Sequence, residues 1–236
     1  MSILKCDNLC VAYDGVTVIK NASFSIDEGD YVLIVGENGS GKSTLVKTIL
    51  GLHFPSSGTL SFSDGLRQNE IGYLAQQNEV RNDFPASVLE VVLSGFCGKK
   101  RFMPFYTKQQ KTKAAEILKK LDMSDYARRP ISELSGGQRR RVLLARALCA
   151  ANKLILCDEP AAGLDTHGSM HLYDSIKKLN DEKIAVMMVT HDLAQSLPYA
   201  NKVIHLGNDA VYFMSKDEYR FSVRISDFTL NFIPIW

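Results

Sequence analysis

Three short apolar runs punctuate the chain: Tyr31–Gly36 (YVLIVG), Lys153–Pro160 (KLILCDEP) and Lys183–Asp192 (KIAVMMVTHD). Each is too short for a buried helix and is bounded by turn residues, as parallel strands buried on both faces should be. Leu45, Ile49 and Leu52 recur at helical spacing after the first run, and Leu172, Ile176 and Leu179 lie between the second and third. Strand–helix–strand repetition predicts a parallel α/β core. The first thirty residues differ. ILKCDNLCVAY alternates imperfectly, and NASFSI ends in the turn cluster Asp27-Glu28-Gly29-Asp30. SSGTLSF resumes strand character later.

From about Leu74 to Asn152 the pattern turns helical. SVLEVVLSG predicts a short helix stopped by Gly95. Thr107 and Gln110 form a capping-box pattern ahead of Ala114, Ile117, Leu118 and Leu121. After a loop with Pro130 comes SELSGGQRRRVLLARAL (Ser132–Leu148), a helix headed by two glycines. The chain shows no internal repeat and no linker of disordered composition. The helical middle, 76–152, therefore reads as an insertion in one domain spanning 1–236, with 1–75 and 153–236 forming the rest.

Composition excludes more than it identifies. With 236 residues, 45% of them hydrophobic and 23% charged, the chain reads as an ordinary globular protein. Its net charge of +2 carries no nucleic-acid footprint. No apolar run approaches the ~20 residues that cross a bilayer. The start, MSILKCDNLC, lacks a signal-peptide pattern, so a cytosolic chain is expected.

GENGSGKST (Gly36–Thr44) fits G-x-x-x-x-G-K-[ST] and has an apolar strand before it and a helix after it. Gly36, Gly39 and Gly41 let successive N–H groups turn toward phosphate oxygens. The helix N-terminus adds partial positive charge. Lys42 supplies a full charge for the β- and γ-phosphates, and the Ser43 hydroxyl suits Mg²⁺. Together with Asn38, Ser40 and Thr44, these residues form the candidate nucleotide cradle.

The second apolar strand ends in Asp158-Glu159, where an aspartate can hold the hydration shell of Mg²⁺. The adjacent Glu159 is placed to polarise an attacking water as general base. His191 follows the third strand and should emerge at the same carboxyl edge, ready to hydrogen-bond a γ-phosphate. Cys157 reads as strand core.

LSGGQ (Leu134–Gln138) resembles the signature of ABC-type ATPases. The phosphate loop, Gln76 in IGYLAQQ, LILCDEP, GLD at Gly163–Asp165 and His191 accompany it in the family's order across nearly the whole chain. The resemblance implies a P-loop core with a parallel sheet, an N-terminal antiparallel β subdomain and an inserted α-helical subdomain. It further implies ATP and Mg²⁺ as cofactors and a head-to-tail dimer with a second copy of the chain. In that dimer Ser135, Gly136, Gly137 and Gln138 meet the γ-phosphate held by the partner. Tyr13 would stack on adenine, Gln76 would reach Mg²⁺ and the attacking water, and Asp165 would contact the opposite subunit. Two departures are visible: Ala-Gly-Leu-Asp (Ala162–Asp165) where the family often has Ser-Ala-Leu-Asp, and Ala75 where it often has proline. Neither removes a charged or hydrogen-bonding group assigned to the site above, so activity is expected to survive both. Arg139–Arg141 read as a solvated or packed helix face.

Soluble members of the family usually carry two cassettes or a long coiled-coil insertion, and this chain has neither. The resemblance therefore implies a transporter ATPase, peripheral on the inner membrane face, driving an integral permease and coupled indirectly to a substrate-binding protein. The segment Asp83–Lys100 sits where the family docks its permease. Within it, FPASVLEVVLSG resembles the stretch in ATPases of zinc, manganese and iron importers. Chelated iron or another small nutrient is the alternative cargo, and a soluble ATPase acting on nucleic acid or ribosomes is the competing class.

Three features remain open. Cys6 and Cys10 fit either a ligand pair or thiols packed as small apolar residues. His167 and His171, with Asp174, fit either a regulatory metal site or a plain surface. The aromatic C-terminus, Glu218–Trp236, would cover the core or pack on a partner.

Overall fold

The computed structural model describes residues 2–13, 15–63, 65–76, 85–97, 105–207 and 210–222. β1 (Ser2–Tyr13) pairs antiparallel with β2 (Val16–Asp27) on one side and β4 (Ser57–Phe62) on the other. The imperfect alternation of β1 has a cause. Leu4 and Cys6 are buried, then the phase flips and Leu9 and Val11 are buried. The pairing slips between Cys6 and Leu9, and Asn8 sits at φ 46°. An extra residue in one strand reverses which side chains face the core.

The second sheet runs in the order β5 (Gly72–Leu74), β6 (Leu154–Asp158), β7 (Ala185–Val189), β3 (Tyr31–Gly36), β8 (Lys202–Leu206), β9 (Val211–Ser215). It is parallel except for β9 at the edge. All of β6 and β7 and all of β3 but Gly36 are buried, as the three apolar runs predict. β8 and β9 escaped the sequence reading because Lys202 and His205 interrupt the apolar run of β8.

α1 (Lys42–Ile49) follows β3, and its Leu45, Val46 and Ile49 join an apolar cluster shared with both sheets. Leu52 does not extend that stripe and is 71% exposed. Gly51, at φ 73°, ends the helix, with Gly51 N–H bonded to Thr48 O and Leu52 N–H to Lys47 O. That paired closure turns the next residue outward.

Another cluster joins the large sheet to α2 (Val88–Ser94), α3 (Lys108–Lys120), α4 (Gly136–Ala150) and α5 (Thr166–Asp181). The inserted helices thus share a core with β3, β6 and β7. Capping boxes open α2 at Ser87–Glu90, α3 at Thr107–Gln110 and α4 at Ser135–Gln138. Gly95 does follow α2, but not as a left-handed stop: its φ is −60°. A Cβ there would lie 2.1 Å from Arg146 O, so the glycine lets α2 approach α4. The C-terminal tail from 223 onward lies outside the described residues, as do Asp83–Phe84 and 98–100 of the expected permease-facing segment. Tyr219, ahead of the tail, is buried with its ring centroid 5.9 Å from that of His205.

Candidate nucleotide site

The loop between β3 and α1 is built around glycines that no other residue replaces. At Gly36 (φ 151°) a Cβ would meet Leu206 O at 2.4 Å, and at Gly41 (φ 97°) it would meet Val18 at 2.8 Å. Lys42 is nearly buried, and its ammonium donates to Gly36 O (2.9 Å) and Glu37 O (2.7 Å), holding the loop curled. Gly41, the N-cap of α1, offers no side-chain acceptor, so the first N–H groups of that helix stay available for an anion. The Ser40 hydroxyl is buried without a protein partner, while Asn38, Gly39 and Ser43 are exposed and Thr44 is half-buried. A cradle of donors, one cation and an orphan hydroxyl fits a polyphosphate. Ser43, Gln76 and Asp158 offer the oxygen ligands that Mg²⁺ takes.

Asp158 ends β6 and is 8% exposed. Burial and the neighbouring Glu159 carboxylate raise its carboxyl above the usual range, while Tyr73, Arg140 and Lys42 oppose the shift. The Tyr73 hydroxyl donates to Asp158 Oδ2 at 3.4 Å, and burial beside that carboxylate pushes the phenol up to about 12. Glu159 departs from the strand at φ 44°, a left-handed conformation that costs a non-glycine residue about 1 kcal/mol or more. Gln76 Nε2 donates to Glu159 Oε2 at 2.8 Å, and His191 Nε2 lies 3.1 Å from Glu159 Oε1. Three residues picked from separate stretches of sequence thus meet at one carboxylate. Behind them lies a cavity of about 220 Å³ lined by Glu159, Leu164, Tyr173, Thr190, His191 and Gln195 among others.

The second glycine pair behaves differently from the first. Ser135 caps α4: its Oγ accepts from Gln138 N–H (3.3 Å), and Gln138 Oε1 accepts from Ser135 N–H (3.0 Å). Among the described residues outside its own helix turn, a Cβ on Gly136 would come no closer than 3.8 Å to Leu164, and one on Gly137 would meet nothing within 4 Å. Close packing against the described residues therefore explains neither glycine. A hollow of about 130 Å³ opens there, lined by Ser135, Gly137, Gln138, Arg141, Gly168 and His171 among others, with no residue of the 36–44 loop.

The ABC transporter family profile matches residues 19–162. The chain belongs to the ABC transporter family. The zinc uptake system ATP-binding protein ZurA of Listeria innocua is 35% identical over 92% of this chain and 88% of its own length. The manganese transport system ATP-binding protein MntB of Bacillus subtilis is 40% identical over 85% of this chain and 81% of its own. Among solved structures, a putative metal-chelate type ABC transporter in an inward-facing conformation aligns with a TM-score of 0.83. It is 29% identical and covers 92% of this chain and 85% of its own. A dimeric bacterial ABC transporter cassette, MJ0796, aligns at 0.73 with 28% identity, covering 91% and 99%.

For an ABC ATPase, the remaining predicted residues take up separate positions. Tyr13 ends β1 with its ring 58% exposed, 5.8 Å from the His53 ring, and His53 Nε2 lies 3.0 Å from Ala12 O. Asp165 is exposed and caps α5 by accepting from Gly168 N–H at 2.7 Å. Of the open features, Cys6 is buried while Cys10 bonds to Asn21 on the other side of the register slip. Asp174 accepts from the Tyr199 hydroxyl at 2.7 Å, and no group of three potential metal ligands occurs among the described residues.

Sequence reasoning missed Tyr73, His53 and, most consequentially, Arg140. Of the solvated and packed readings open for Arg139–Arg141, Arg140 takes the packed one and is 1% exposed. Its Nε donates to Pro160 O (2.6 Å), Nη1 to Ala75 O (2.9 Å), and Nη2 to Asp158 O (3.3 Å) and Glu159 O (3.0 Å). The signal was present: Arg140, Leu144 and Leu148 recur at i, i+4, and the two leucines mark that stripe as core.

Proposed function

We propose that the chain hydrolyses MgATP as a dimer of two copies and so drives a membrane permease that imports a metal cation. The open head of α4 carries this reading. Two glycines without an internal packing role, beside a capped serine at a helix N-terminus, suit a phosphate brought by a second chain.

Within one half of such a dimer, Tyr13 stacks on adenine, and Lys42 and the N–H groups heading α1 hold the phosphates. Ser43, Gln76 and Asp158 would hold Mg²⁺, which would supply positive charge to offset the negative charge building up on the phosphates. Glu159 takes a proton from the attacking water. Its carboxylate is fixed for that task by Gln76 on one oxygen and His191 on the other. Ser135, Gly136, Gly137 and Gln138 complete the partner's site, with Asp165 beside them. Closure is a shift of population toward the form in which both chains grip the phosphates.

The permease surface is assigned to a groove of about 390 Å³ between α2 and α4, lined by Ala86, Glu90, Val91, Ser94, Leu143 and Arg146 among others. None of the described helices is long and apolar enough to cross a membrane, which suits a peripheral subunit held on the inner face by that permease. The names of ZurA and MntB favour zinc or manganese as cargo. A second cargo class, chelated iron, is favoured by the chelated iron transport system protein YfeB of Yersinia pestis. YfeB is 38% identical over 84% of this chain and 69% of its own length.

Reconstitution with the cognate permease and binding protein tests the assignment. ATP hydrolysis stimulated by Zn²⁺- or Mn²⁺-loaded binding protein is expected. Stimulation by an iron chelate alone selects the second class, and activation by nucleic acid or ribosomes overturns transport.

A further inference from the structure

Arg140 lies one helical turn beyond Gly136 on α4. The residues before it present the head of the helix to solvent, while its own guanidinium is buried among main-chain carbonyls. Those carbonyls come from two segments far apart in sequence. Ala75 directly precedes Gln76, and Asp158, Glu159 and Pro160 form the end of β6 and the turn beyond it. The side chains carried by these segments, Gln76 and Glu159, are themselves hydrogen-bonded at 2.8 Å. A planar fork with five donors can bridge two segments at fixed spacing, which an ammonium cannot do.

The bridge has a mechanical consequence. An α-helix moves as a rigid rod over one turn, about 5.4 Å. Displacement at Ser135–Gly137 therefore displaces Arg140, and with it the backbone that aims Gln76 and Glu159. Burial lowers the affinity of this guanidinium for its proton, against the pull of Cys157, Asp158 and Tyr73. The carbonyl dipoles hold the charge in place, and loosening them exposes it to an apolar surrounding, so the contact favours one tight arrangement.

We propose that Arg140 is a positioning residue that couples phosphate contact at the head of α4 to the alignment of Gln76 and Glu159 in the same chain. Each catalytic carboxylate would then respond to the nucleotide held across the dimer. This inference rests on the dimer reading above and adds to it a route between the two sites.

The test compares Arg140→Gln and Arg140→Lys with the parent in the full chain, and repeats each substitution in a Glu159→Gln background. Steady-state phosphate release should show kcat falling roughly tenfold or more in both variants, the size of effect expected from slight misplacement of a catalytic group. KM for ATP should stay within about twofold, because Arg140 bonds to no residue of the phosphate loop. In the Glu159→Gln background, ATP-dependent dimerisation by light scattering should persist with either substitution. Retention of charge in Arg140→Lys should not restore kcat, since lysine lacks the bridging fork. Wild-type kcat in Arg140→Gln, rescue by lysine, or a loss of kcat that tracks a loss of dimerisation would overturn the proposal. If Arg140→Gln fails to fold, Arg140→Lys, which keeps the buried cation, decides by the same measurements. Failure of Glu159→Gln alone to dimerise with ATP instead rejects the dimer reading, so the two failures are distinguishable.

Discussion

Gln76 and Glu159 are 83 residues apart in the chain, yet the amide Nε2 of one donates to the carboxylate Oε2 of the other at 2.8 Å. His191 closes on the second carboxylate oxygen at 3.1 Å. The carboxylate proposed as general base is thus held from both sides by residues on separate loops at the carboxyl edge of one sheet.

Removing one of these supports should slow the chemistry and leave binding intact. Gln76→Ala is expected to lower kcat roughly tenfold, a positioning effect. KM for ATP should change less than kcat, because the phosphate loop is untouched and Ser43 and Asp158 remain to hold Mg²⁺. Phosphate-release kinetics over a range of ATP concentrations check both quantities. An increase in KM at constant kcat would move Gln76 from alignment to nucleotide binding.

Gly137 gives an unusual prediction in which stability and activity part company. Among the described residues outside its own helix turn, nothing lies within 4 Å of a Cβ there, and alanine is the better helix former. Gly137→Ala should therefore stabilise the chain by up to about 1 kcal/mol. The added methyl would occupy the surface proposed to meet a partner's phosphate, so ATPase activity should fall. Thermal unfolding paired with an ATPase assay reads both. A less stable and fully active variant contradicts the assignment.

Lys202 ties the β2–β3 turn to β8. Its ammonium lies 3.2 Å from Asp27 and 2.7 Å from Asp30, and Asp30 is 7% exposed at its side chain. Burial alone would lower the lysine's pKa, but the two carboxylates outweigh it and raise it. A raised folded-state value means this stabilisation is complete below the unfolded pKa and lost as pH climbs through the folded one, at strongly alkaline pH. Lys202→Met should cost about 2 kcal/mol near neutral pH, chiefly by leaving Asp30 without its cation. Urea denaturation measures the cost, and ATP affinity should be unchanged.

The cysteines should separate by reactivity. Hydrogen bonds from Ser57 and Asn21 lower the Cys10 thiol, whereas burial pushes Cys6 and Cys157 up to about 12. Iodoacetamide near pH 8 should label Cys10 and the exposed Cys97, and leave Cys6, Cys149 and Cys157 unmodified in the native chain. Peptide mass mapping before and after unfolding reads the pattern. Labelling of Cys6 in the native state would contradict the register of β1.

Legibility in the sequence followed how local the cause of each feature was. β3, β6 and β7 were readable because strands buried on both faces admit only apolar residues, and the phosphate loop because its glycines answer to backbone geometry. The cap at Thr107 was readable from its own four residues. The burial of Arg140 was marked by its spacing with Leu144 and Leu148, but its partners were not legible, because Ala75 and Asp158–Pro160 come together only once β5, β6 and α4 have packed. Leu52 and Gly95 misled for related reasons: a helix ended one residue earlier at a left-handed glycine, and another glycine served a neighbouring helix. The flip of phase within β1 stood in the sequence as an irregularity, and only the pairing with β2 reveals it as a slip in register.

The claim that the head of α4 serves a second chain is tested most directly by light scattering of Glu159→Gln with MgATP, with and without Ser135→Arg. The account predicts that Glu159→Gln doubles in mass on adding ATP, since the general base is lost and the phosphate grip is kept. It predicts that Ser135→Arg in the same background stays at the mass of one chain while still binding a fluorescent ATP analogue. A Glu159→Gln chain that remains single with ATP bound, or a double variant that still dimerises, would contradict it.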